Sequence, residues 1–139
     1  MKAKRYLEDI QRMKARICSL GIQHRSLSDA LVNVSPTLSH MPRPATPDVH
    51  RMDGLIAAKL DIENKIKDVS ARLVEIHNAI NSVDDPYQQS ILALRYIDGK
   101  TWQEITEETY LGRSRVFAYH NLALETIELY LRKNGTILD

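Results

Sequence analysis

The sequence predicts an all-α protein, in which a long antiparallel helical hairpin, coiled-coil-like, is followed by a C-terminal three-helix helix-turn-helix domain. Three observations predict it. Apolar residues recur three and four positions apart over two stretches of similar length. Of 139 residues 43% are hydrophobic but only 6% aromatic, and four of the five prolines are gathered between the two stretches. Leu, Ile and Val at that density, with few aromatics, belong in helices more than in sandwich strands.

The first stretch covers 3–34. Ala3, Ile10, Ile17, His24 and Leu31 form one row, and Tyr6, Met13, Leu20, Leu27 and Val34 the other. Only a helix brings rows spaced three and four apart onto one face. Gly21 costs about 1 kcal/mol against alanine and is the expected place of a bend or break. The second stretch, 52–83, repeats the pattern with Met52, Lys59, Ile66, Leu73 and Ile80 beside Leu55, Ile62, Val69, Ile76 and Val83. At a rise of 1.5 Å per residue each helix is about 45–50 Å long, so the two match as a hairpin.

Between them SPTLSHMPRPATPDVH, residues 35–50, is too rich in proline to be helical throughout. An irregular, mobile tip is expected over 36–47, with Thr46 and Pro47 opening the second helix. The β-branched row Ile62, Val69, Ile76, Val83 fits a parallel two-stranded coil poorly. Two hairpins docked as a four-helix bundle bury both seams, so residues 1–83 are expected to make a homodimer; a monomeric hairpin is the alternative.

Residues 84–139 divide into three helices, each break having a mechanism. Asp85 caps a helix that starts at Pro86, and Gly99 takes the left-handed conformation that ends it. Thr101 with Glu104 is a capping box opening a short helix, 102–109. A turn at 110–112 leads into a long helix, 113–131, with Val116, Ile127 and either Leu122 or Ala123 facing inward. Ile105, Leu111 and Val116 are placed to seal the elbow. Two turns of helix, a three-residue elbow and a second helix opening with polar residues is a helix-turn-helix; a plain three-helix core is the competing reading.

ILALRYIDGKTWQEI followed by SRVFAYHNLALETIELYL resembles region four of bacterial primary-type sigma factors, the module that reads the upstream promoter hexamer. The resemblance spans about 45 residues. With the N-terminal helices and the Met41, Pro42, Arg43 segment, nearly the whole chain resembles uncharacterised phage and prophage regulators of Gram-positive bacteria. What this implies is a sigma-like regulator of late genes without the part that melts the promoter. Thr106 stands where the motif usually has alanine or glycine, and Tyr110 where glycine, asparagine or aspartate is common. Gly112 replaces the Ser or Thr cap, and Phe117 and Ala118 replace polar base readers, so hexamer specificity is not expected to carry over.

The expected DNA contacts are Arg113, Ser114 and Arg115 at the start of the recognition helix, where side chains reach base edges and amides meet phosphate. Phe117 and Ala118 are candidates for a thymine methyl, Tyr119 and Asn121 for phosphate or base, and Lys100 for a backbone anchor. Trp102 is expected in the core, and Arg95 in a pair within the fold. The basic cluster of Lys2, Lys4, Arg5, Arg12, Lys14 and Arg16 is expected to be a solvated helix face.

Charge sets a counterweight. The formal net charge is +1, but residues 1–48 hold eight basic against four acidic side chains, 49–83 five of each, and 84–139 six against nine. A DNA-binding segment is usually basic. The DNA reading therefore rests on pattern, and a second reading stands beside it: a protein whose sigma-like domain docks on RNA polymerase. A small-terminase-like packaging subunit is a third, although there the motif usually leads the chain.

No enzyme is expected, since nothing resembles a triad, a phosphate loop or a paired-acid site. Cys18 is the single cysteine, and His24, His40, His50, His77 and His120 show no metal-ligand spacing, so neither metal nor cofactor is expected. No apolar run approaches the roughly 18 residues of a membrane span, and MKAKRYLEDI is charged where a signal peptide is greasy. The cytoplasm is the expected location.

Overall fold

The computed structural model describes residues 2–34 and 49–136, and among these every regular element is helical. Helix α1 is Lys2–Val34 and α2 is Val49–Asn81. The expected mobile tip at 36–47 and the Thr46–Pro47 helix start lie outside the described residues. No break occurs at Gly21: α1 continues through it, its surroundings open for 4 Å.

Two compact units result, residues 15–70 and residues 1–14 with 71–139. In the first, α1 and α2 run together, joined across the seam by His24 Nε2 and Glu63 Oε1 at 2.9 Å. Leu20 and Ile62 are buried there, while Ile17, Leu27, Leu31, Met52, Leu55, Ile66 and Val69 are half-buried. Most seam positions of this stretch therefore keep part of their surface open among the described residues. In the second unit Tyr6 of α1 lies beside Glu75 and Arg72 of α2, which fixes the hairpin as antiparallel.

That second unit holds the larger core. Ala3, Leu7 and Ile10 of α1 are fully buried in it with Ile76, Ala79, Ile80 and Val83. The compact boundary thus falls inside both long helices, after residue 14 and before residue 71. Leu7 lies off both heptad rows, and its burial shows that α1 has two apolar neighbours here: α2 on one side and the C-terminal helices on the other. Glu128 Oε2 accepts from the backbone N–H of Ala3 at 2.8 Å, satisfying one orphan amide of α1.

Helix α3, Pro86–Leu92, starts as its sequence dictates: Asp85 Oδ1 accepts from the Tyr87 amide at 2.9 Å, and Pro86 takes the first helical position. It then departs from the expected α-helix, because Ala93–Ile97 is a π-helical turn. Asp98 N–H donates to Ala93 O at 3.0 Å, five residues back, before Gly99 turns the chain at φ 71°. Gln11 Nε2 donates to the carbonyls of Tyr96 at 2.8 Å and Ile97 at 3.1 Å, and Lys14 Nζ donates to Ile97 at 2.6 Å. Two side chains of α1 therefore close the end of this helix. Helix α4 is Trp102–Thr109 and α5 is Arg113–Lys133.

Candidate nucleic-acid interface

Helix α4 opens with the capping box that its sequence predicts. Glu104 N–H donates to Thr101 Oγ1 at 3.2 Å, and Thr101 N–H donates to Glu104 Oε1 at 3.3 Å. The Thr101 amide and hydroxyl hold the Glu104 carboxyl below the usual carboxylate range. The helix ends at Tyr110, whose φ of 58° and ψ of 21° put a tyrosine in the left-handed region, with its side chain 94% exposed. Leu111 follows, and Gly112, extended at φ −68° and ψ 155°, precedes α5 with no side-chain cap. The elbow is thus three residues long. Ile105 and Val116 are fully buried around it with Ile91, and Leu94, Trp102, Leu111 and Tyr119 pack against them.

Beneath the elbow the polar groups are paired. Tyr96 Oη and His120 Nε2 are 2.7 Å apart in the core. Burial, with Lys4 and Arg95 nearby, pulls the imidazole down to about 4, and burial with Glu8 pushes the phenol up to about 12. Both groups are consequently neutral at pH 7, and the imidazole tautomer sets which of them donates. Trp102 meets the His120 ring edge-on at 4.7 Å between centroids and the Phe117 ring at 4.8 Å. The Arg95 guanidinium lies over the indole at 4.5 Å and donates to Lys100 O at 3.0 Å. Tyr96 belongs to the π-helical turn and is its buried residue.

The eight side chains expected on DNA separate into two groups. Arg113, Ser114, Arg115, Ala118 and Asn121 are exposed on the first turns of α5. Arg113 also leans over the Phe117 ring at 5.7 Å. Phe117 and Tyr119 are half-buried instead: Phe117 packs on Trp102, and Tyr119 stacks on Tyr87 at 5.6 Å with an interplanar angle of 16°. Lys100 has its ammonium 3.8 Å from Glu104 and 3.6 Å from Glu108. Of the two alternatives for the inward face, Ala123 is fully buried and Leu122 is 49% exposed. Leu122 and the exposed Glu125 therefore extend the outward face beyond what the residues alone indicated.

The family model of DUF1492, described as proteins of unknown function, matches residues 46–128, more than half of the chain. The chain is a member of the DUF1492 family. The DUF1492 match takes in α2, α3, α4 and α5 as far as Glu128, so it covers the whole elbow. Neither a curated protein nor a solved structure matches the chain.

Among the described residues no three His, Cys, Asp or Glu side chains come together to hold a metal, and no helix is long and apolar enough to cross a membrane. A cleft of about 430 Å³ lies beside the elbow, lined by Trp102, Thr106, Glu107, Tyr110 and Arg113.

Proposed function

We propose that the chain is a DNA-binding transcription regulator of phage type, acting in the cytoplasm as a homodimer joined through the α1–α2 hairpin. The observation that carries the reading is the elbow between α4 and α5. It leaves Arg113, Ser114 and Arg115 exposed at the start of a helix whose opposite face is anchored in the core. A helix held in this way inserts its first turns into a major groove, while its exposed arginines meet phosphate or guanine. The likeness of α3, α4 and α5 to sigma region four supports a place in transcription.

The test is fluorescence anisotropy on duplex DNA over a salt series. If Arg113 and Arg115 each neutralise one phosphate, Arg113→Ala with Arg115→Ala reduces the slope of log affinity against log salt by about 2. Folding survives, because neither side chain is in the core. Unchanged binding by the folded double variant removes the proposal.

One observation favours a second reading. Helix α4 exposes Glu104, Glu107 and Glu108, and two of them hold the Lys100 ammonium. Phosphates are repelled by such a face, whereas a basic protein surface is attracted to it. On that reading the domain docks on RNA polymerase and has little DNA affinity of its own. Retention of purified polymerase by a chain that fails to bind DNA is the outcome that selects it.

A further inference from the structure

Helix α5 turns one row inward: Val116, His120, Ala123, Ile127 and Leu131 are all buried. At 3.6 residues per turn the row directly opposite holds Ser114, Arg115, Ala118, Asn121, Leu122 and Glu125, and each of these is exposed. Phe117 and Tyr119 flank the row but are occupied by Trp102 and Tyr87. The outward row, with the exposed Arg113 ahead of it, is therefore the part of the first turns available to meet base edges.

We infer that this row reads a short duplex site in which guanine faces Arg115 and A·T pairs face Ala118, Asn121 and Leu122. The inference rests on the DNA-binding reading and deepens it. Its chemistry follows side chain by side chain. Arginine presents two parallel donors, which fit the O6 and N7 acceptors of guanine. The asparagine amide has one donor and one acceptor, the complement of adenine N7 and N6 in the major groove. Ala118 and Leu122 carry no polar atom beyond the backbone, so what they match in the groove is the thymine methyl. Glu125 limits the row, because a carboxylate is repelled by phosphate and its base-edge match is the cytosine amino group. From Ser114 to Leu122 the helix rises about 12 Å at 1.5 Å per residue. At about 3.4 Å per base pair that span covers three to four pairs.

The experiment is selection by the full chain from randomised duplexes, followed by anisotropy on the selected duplex and on an unselected one. The expected winner has a core of consecutive A·T pairs flanked by a G·C pair. Arg115→Ala and Asn121→Ala are each expected to lower affinity for the selected duplex about 10-fold and to relax preference at one position. Asn121→Ala leaves the unselected duplex bound as before, since the amide carries no charge. Alanine is a better helix former than asparagine, so this variant keeps its fold, and circular dichroism checks that. Binding without sequence enrichment, or an Asn121→Ala protein with unchanged preference, overturns the inference while DNA binding stands. No binding to any duplex overturns both.

Discussion

His120 is 5% exposed and bonded to the Tyr96 hydroxyl, with Trp102 edge-on against its ring and Lys4 and Arg95 close by. No carboxylate is among the groups that set its charge, so a proton there gains no opposite charge and loses its hydration. Its folded value of about 4 lies below the ordinary 6.5. Above pH 6.5 both folded and unfolded chains hold a neutral ring, and stability is complete. Between pH 6.5 and 4 the unfolded chain takes up a proton that the folded chain refuses, so stability falls as pH falls. Urea melts followed by the fluorescence of Trp102, the single tryptophan, are expected to shift to lower midpoints over that window. His120→Gln removes most of the window's slope and leaves the carboxylate contribution; an equal slope in both proteins would place the proton elsewhere.

The helices of the second unit depend on each other's termini more than on their own propensities. Gln11 and Lys14 satisfy the carbonyls of Tyr96 and Ile97, and Glu128 satisfies the Ala3 amide. A π-helical turn is stable where such partners are fixed, because its own hydrogen-bond geometry leaves the last carbonyls open. Leu7 and Ile10 add full burial to the same contact. The first four turns of α1 are therefore part of the domain that carries the elbow. Leu7→Ala is expected to lower the stability reported by Trp102 by about 2–5 kcal/mol, the usual range for a fully buried leucine. The same change at the half-buried Leu27 is expected to leave the Trp102 transition near its original midpoint. An unchanged midpoint for Leu7→Ala would show that α1 is not part of that core.

For the whole molecule, the two units differ in how far they satisfy themselves. Residues 1–14 with 71–139 bury a continuous set of large side chains, from Leu7 to Leu131. Residues 15–70 bury Leu20 and Ile62 but leave most of the seam half-open, with Ile22, Ile56 and Leu60 at least half exposed. Apolar surface left in water on two adjacent helices is removed most directly by a second pair of helices. Sedimentation velocity is expected to give a dimer, and residues 15–70 to gain hydrogen-exchange protection as concentration rises. A monomer at concentrations well above those used for DNA binding would remove the dimer from the proposal.

Local pattern alone determined the helical class, the two long helices, the caps at Asp85 and Thr101, and the elbow at 110–112. Each is written in residues close in sequence: a heptad row, a proline after an aspartate, a threonine three before a glutamate. It also placed Arg113, Ser114, Arg115, Ala118 and Asn121 on the exposed start of α5. What it left open was which neighbour covers a given face. Leu122 and Ala123 both border the apolar stripe of α5, and the choice turns on His120. Counted as a polar residue, His120 breaks the inward row; buried against Tyr96, it completes a row through Val116, Ala123 and Ile127 that leaves Leu122 outside. Phe117 and Tyr119 were decided in the same way, by Trp102 and Tyr87 arriving from other helices. Leu7 and the π-helical turn depend on α1 meeting residues more than eighty positions away. Periodicity records that a side chain prefers to leave water, whereas the partner that removes it from water is supplied by the packed chain.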